Sequence, residues 1–531
     1  MGQCHSTEAD IPALVSLLSR GSSSDKKRAA VALAKLDVDQ VTAVAATSSL
    51  IPPLVELIRG GTKAQKTKAA LVLSKLSTKN ETRSVIVELG GVPALVDLVR
   101  RGSGAQKEHA VSTVFNLCMN TNYRGIIAAA GAVTPTVALV RDGNSVQREK
   151  AAGVLALLAT NSDNRVAITA ANGIYPLVQL IQTGNVPERV NAMSALWTLS
   201  TNDACKAVIA AAGGIPSLAK LACDVGEYQK EVAAGLLWNL SMAPENREAI
   251  AEAGGVPPLV ELLRSGNAVQ KMRAVGALAN LVTIPECQIG VAAAGGIAPV
   301  VNLLQYGTVP QKECALTVLL HLSECSRKIQ AGMVAAGAVP AVVAILYCGS
   351  DVMKQDASRV LANLSSSQDK SAIAGAGSIS PLVALLWDGN STEKLNATIA
   401  LANLSMDPAS RAMIAAAGGI RALVMLVRDG SDDLKERAAV ALFNLTLSQE
   451  NKIMIVAAGG IHALVALLQN GMEPRPRKGI LRLPCRTYRS MTDILHTVVT
   501  VTTLAQKFRR LDDPPHRKAD RQQVLFGHVT Q

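Results

Sequence analysis

Branched apolar residues return along this chain at a nearly fixed step. Most follow a Gly, Ala or other small residue, and they stand at Ile11, Ile51, Val92, Val133, Ile174, Ile215, Val256, Ile297, Val339, Ile379, Ile420 and Ile461. The gap is 41 residues, with a single 42 and two 40s. Periods of about 40 to 47 residues signal stacked helical repeats. Residues 246–281 show the unit. Asn246 is placed to cap a short first helix that ends at Gly254–Gly255. Pro257 suits the first turn of a second helix, whose Leu259, Val260, Leu262 and Leu263 follow helical spacing until Gly266. A third helix is predicted from about Ala268 to Leu281.

Counting from each anchor turns the repeat into columns. Eighteen positions on stand Ala29, Ala69, Ala110, Ala151, Ala192, Ala233, Ala274, Ala315, Ala357, Ala397 and Ala438, as expected where neighbouring backbones approach closely. Twenty-four positions on stand Lys75, Asn116, Leu157, Thr198, Asn239, Asn280, His321, Asn363, Asn403 and Asn444. Asparagine is a poor helix residue because its amide competes with the backbone, so six in one column need a reason. Fifteen positions on every copy is basic, from Lys26, Lys66 and Lys107 to Lys354, Lys394 and Lys435. That ladder is expected to pair between repeats with acids such as Asp97 or Glu261. The alternative is a face for an acidic partner or an anionic membrane.

A short, a medium and a long helix with a Gly-Gly corner resemble the armadillo repeat, in phase over residues 10–471. The resemblance implies an all-α, right-handed superhelical solenoid of about ten complete repeats with partial units at the ends. It also implies that the asparagine column lines a concave groove. There Asn116, Asn239, Asn280, Asn363, Asn403 and Asn444 would hold the backbone of an extended peptide, each carboxamide offering a donor and an acceptor. A local hydrogen bond near the helix end is the other explanation. Trp197 and Trp238, beside the column, are candidate side-chain anchors, although tryptophans at regular helical positions are commonly packed. The nuclear-import branch of the family carries Trp four residues before the asparagine. Here those places hold Ser112, Gly153, Ser194, Gly235, Gly276 and Thr317, so the groove floor is expected to be small and open.

Composition narrows the function class. Hydrophobic residues make up 49 % and aromatics 2 %, which fits an aliphatic interior and leaves few platforms for stacking nucleic-acid bases. No H-E-x-x-H, P-loop, G-x-S-x-G or paired-cysteine ligand set occurs. A binding module is expected, not an enzyme, with no metal, cofactor or small-molecule substrate. The nine scattered cysteines and the lack of an uncharged apolar run of membrane length read as a reduced, cytoplasmic chain.

The two ends differ from the array. Met1-Gly2-Gln3-Cys4-His5-Ser6 matches a myristoylation pattern, with Gly2 as acceptor and Cys4 as a palmitoylation candidate. Two lipids hold a protein at a membrane where one does so only marginally. Chance or a misassigned start codon is the alternative explanation of the match. An acylated start before such an array resembles the vacuolar protein 8 type of adaptor, which implies a peripheral protein on the cytosolic face of a vacuolar or other endomembrane. Alternative roles are a substrate receptor of a ubiquitin ligase and a soluble cytoskeletal or ciliary scaffold. Residues 472–531 hold 12 Lys+Arg and 5 Asp+Glu of a chain whose net charge is +12. There Pro474 and Pro476 forbid the expected third helix. One capping helix near 490–509 is predicted within this basic tail, with a gene-model artefact as the rival explanation.

Overall fold

The computed structural model describes residues 11–47, 49–224 and 226–471, and every regular element among them is a helix. Gly2, Cys4 and the helix predicted near 490–509 lie outside the described residues. Packing divides the chain into two units, Met1–Gly296 and Ile297–Gln531.

The Val256 repeat folds as Pro244–Glu252, Val256–Ser265 and Ala268–Leu281. The last two helices match the sequence reading, and the first differs at its start. Asn246 is the third residue of that helix, not its cap, and its buried Nδ2 donates to Leu240 O at 3.2 Å. The corner that follows needs two glycines for different reasons. Gly254 takes a left-handed φ of 70°, which costs a residue without Cβ least. A Cβ on Gly255 would stand 2.7 Å from Ile250 Cγ2, so the second glycine answers a close approach.

Most third helices start with a reciprocal cap, the exceptions being those that begin at Glu227, Asp351 and Asp432. In the Val256 repeat Asn267 Oδ1 accepts from Gln270 N, and Gln270 Oε1 accepts from Asn267 N, each at 2.9 Å. All eleven alanines of the eighteenth position are fully buried, as are Leu278 and Leu281. Aliphatic burial of this kind supplies the main driving force for stacking. Among the described residues one helical stretch, Lys370–Asp388, is long and apolar enough to cross a membrane, and it turns through a corner at Gly377, where φ is 81°.

Candidate functional site: the face of successive third helices

Every asparagine of the column hydrogen-bonds the repeat before it. Asn116 Nδ2 donates to Ser77 Oγ at 2.9 Å and Asn239 Nδ2 to Ser200 Oγ at 2.9 Å. Asn280 reaches Ser241 at 3.0 Å and Asn363 reaches Ser323 at 2.9 Å. Asn403 reaches Ser365 at 3.0 Å and Asn444 reaches Ser405 at 3.1 Å. The serines are buried, and their hydroxyls in turn donate to carbonyls three residues back, as Ser241 does to Trp238 O. The asparagines themselves are half-buried. Among the described residues nothing donates to their Oδ1 atoms, and the second N–H of Asn239, Asn280, Asn363 and Asn403 has no partner. Each therefore keeps an acceptor, and these four keep a donor as well.

Where the preceding repeat has Cys118, Ala159 or Val282 in place of the serine, the column reads Leu157, Thr198 or His321. Lys75 substitutes differently, its Nζ donating to Ala34 O at 2.9 Å and Leu36 O at 2.5 Å. Asparagine thus occurs where a hydroxyl awaits it one repeat earlier.

The expected open floor is not open at its glycines. A Cβ on Gly276 would stand 2.5 Å from Trp238 Cε2, and one on Gly153 would stand 2.5 Å from Phe115 Cε2. Each glycine is the seat of an aromatic ring from the preceding repeat. Gly235 is covered instead by the Arg273 side chain, whose Cδ would lie 3.1 Å from an added Cβ. That guanidinium sits 4.2 Å from the centre of the Trp197 ring and donates to Glu231 O at 2.8 Å. Burial makes the Arg273 cation less favourable, with the nearby Glu231 carboxylate opposing that shift. Trp197 and Trp238 are accordingly half-buried, each spending one surface on the chain itself.

The basic column also differs from its expected pairing. Asp97 pairs with Arg101 and Glu261 with Arg264, both within their own helices. Arg148 pairs with Glu188 of the next third helix at 2.9 Å, and Lys230 with Glu227 of its own at 3.5 Å. The remaining basic residues of the column form no ion pair with a described residue. No cluster of His, Cys, Asp or Glu suited to a metal occurs among the described residues.

The family model for the armadillo/beta-catenin-like repeat matches residues 243–283 and 407–447. The solved structure of an engineered protein is similar at 28 % identity and a TM-score of 0.59, over 75 % of this chain and 98 % of that one. A chain from a structural study of the interaction between cadherin and beta-catenin superposes with a TM-score of 0.72 at 18 % identity, over 90 % of this chain and 100 % of that one. Residues 243–283 and 407–447 are thus armadillo/beta-catenin-like repeats, and the chain has the all-α armadillo solenoid fold. No curated protein matches its sequence.

Two columns of the armadillo array escaped the sequence reading. The serine partners stand twenty-six positions after their anchors, as Ser241 does after Ile215. Fourteen positions on, six of the eleven copies are glutamine, and several of these reach back one repeat through Nε2. Gln65 donates to Ser23 O at 2.7 Å, Gln106 to Lys63 O at 2.8 Å and Gln147 to Gly104 O at 2.7 Å. Both signals were present as recurrences at the repeat period.

Proposed function

We propose that this armadillo array is a protein–protein interaction scaffold that binds extended peptide segments along its third-helix face, and that acyl chains on Gly2 and Cys4 hold it at the cytosolic face of an endomembrane. The observation that supports peptide binding is the half-engaged asparagine column. Within the second unit Asn363, Asn403 and Asn444 follow in three consecutive repeats. Helices packed about 8–10 Å apart space such amides by roughly three residues of extended chain. Each offers its Oδ1, and Asn363 and Asn403 a free N–H as well, to the strand between. Trp197 and Trp238 present their remaining ring surface as anchors on the first unit. The tether is supported by the pattern Gly2, Cys4 and Ser6 alone.

The serine partners allow a clean test. A peptide selected from a displayed library against the full chain is titrated against Asn363→Ala/Asn403→Ala and against Ser323→Ala/Ser365→Ala. Both pairs lose the same inter-repeat bonds, but only the first loses groups offered to the peptide. Peptide affinity should fall at least about tenfold in the asparagine variant and stay near wild type in the serine variant. Equal effects would assign the column to repeat stacking. For the tether, cells are fed a myristate analogue, and label and membrane fractionation should vanish together in Gly2→Ala.

A further inference from the structure

Three features meet at the joint between the third helices Val186–Leu199 and Glu227–Ser241. The first is a reversed pair of residues. Ahead of every other third helix stands a glycine followed by Ser, Thr or Asn, from Gly21–Ser22 to Gly430–Ser431, whereas here the order is Val225–Gly226. Gly226 therefore gives its helix no capping side chain, and a Cβ added there would meet nothing within 4 Å. The start of this 15-residue helix is left with backbone N–H groups, open space and the positive end of the helix dipole.

The second feature is Gln229, on the first turn of that helix. It is 4 % exposed, and its Nε2 has no hydrogen-bond partner among the described residues. Gln65, Gln106, Gln147 and Gln270 occupy the same place and give that N–H to the preceding repeat, Gln270 to Glu227 O at 2.9 Å. A buried donor left without an acceptor is strongly unfavourable. The third feature is Arg189, whose Nε is also buried and unpartnered. One joint earlier the same two places hold Arg148 and Glu188, and there the arginine Nε donates to the carboxylate at 2.9 Å. Arg189 and Gln229 thus bring two donors together where the neighbouring joint pairs a donor with an acceptor.

The nearby acids are engaged elsewhere. Glu188 holds Arg148, Glu227 accepts from Gln270 at 2.8 Å and lies 3.5 Å from Lys230, and Glu231 pairs with Arg273 at 3.2 Å. The remaining acid at this end of the helix is Asp224. Tyr228 Oη and Ser194 Oγ share a hydrogen bond of 3.1 Å, so the joint borders the third-helix face described above. A guanidinium, an amide N–H and a helix N-terminus are donors suited to carboxylate and phosphate.

We propose that this joint binds an oxyanion, a carboxylate or a phosphate, held by Arg189, Gln229 and the start of helix Glu227–Ser241. Its source is an acidic side chain of the bound segment or a free anion. The first source rests on the peptide reading above, and the site itself does not. Melting of the full chain is followed by circular dichroism with rising sodium phosphate or sodium acetate, chloride being exchanged to hold ionic strength constant. At least one probe should raise the melting temperature saturably, and Arg189→Gln should weaken the apparent affinity at least about tenfold. Gln229→Glu should abolish the effect and raise the melting temperature without any probe, because the new carboxylate pairs with Arg189 as Glu188 does with Arg148. Gly226→Asn, which restores the cap, should also raise it and weaken binding. The melt of each variant shows whether it folds. No shift with either probe would overturn the proposal, leaving the two donors to water or to the Gln229 carbonyl turned over. So would a shift that persists in all three variants, which is an effect of anions in general. A shift seen only in Asp224→Asn would overturn it as well, giving the place to the chain's own carboxylate. The peptide selected above separates the sources. Replacing its Asp and Glu by Asn and Gln should weaken its binding to the wild type but not to Gln229→Glu if the segment supplies the oxyanion, and should change neither if the anion is free.

Discussion

At the residue scale the asparagines do two things with one side chain. Asn280 gives one N–H to Ser241 at 3.0 Å and leaves its carbonyl free. Replacing it by Ala should cost about 1 kcal/mol, the usual net worth of such a bond. In a double-mutant cycle with Ser241→Ala, measured by denaturant unfolding, the two changes should couple by about 0.5–1 kcal/mol. Additivity would mean that the bond contributes nothing. Cysteine chemistry divides just as sharply. Burial pushes the Cys118 thiol up to about 12 and the Cys287 thiol to about 11, whereas Cys223 and Cys348 are exposed. At pH 8 iodoacetamide should modify Cys223 and Cys348 well before Cys118 and Cys287, as followed by mass spectrometry. The asparagine column was legible because an unfavoured residue recurred. Its partner was not, because the serine stands 39 positions back and each column was read by itself.

At the element scale the alanine column was readable, since a residue held small in eleven copies at one register has a steric cause. The glycines at the twentieth position were misread for a related reason. A missing side chain looks like empty space when only its own helix is considered, and Trp238 comes from the helix before. Gly276→Ala tests this. Alanine in a helix normally gains about 1 kcal/mol over glycine, but overpacking against Trp238 costs about 1–3 kcal/mol. Net destabilisation is expected at Gly276. Gly125, inside helix Thr121–Ala129 with nothing within 4 Å of an added Cβ, should be stabilised by up to about 1 kcal/mol. Thermal melts of the two variants should move in opposite directions. The same blindness hid Arg273 on Trp197, where cation and ring lie two repeats apart.

At the scale of the whole molecule the regular phase conceals a division. The anchors run without interruption through Ile297, yet packing separates residues up to Gly296 from those that follow. Solenoid stability is approximately a sum of repeat terms and nearest-neighbour terms, so a unit with its own repeats should fold alone. A fragment of residues 1–296 is expected to keep its helical circular dichroism and melt cooperatively. A fragment without a melting transition would show that the division is not one of folding. The anchor, alanine and basic columns could not announce this boundary, because all three run through it; only the asparagine–serine ladder is broken there, at Val282 and His321, as it also is at Leu157 and Thr198. Residues 472–531, where the repeat visibly stops, lie beyond the described residues.

The asparagine–serine ladder also constrains the ancestry of the array. Copies of equal length look interchangeable, and unequal crossing-over would be expected to add or remove them freely. They are not interchangeable, because half of each joint is encoded in the preceding copy. Excising residues 284–324 would preserve the 41-residue phase and every buried alanine that remains. It would also set Asn363 behind Val282, which has no hydroxyl to receive its amide. Recombination is harmless only where serine and asparagine travel together, so the order of the repeats is itself inherited information.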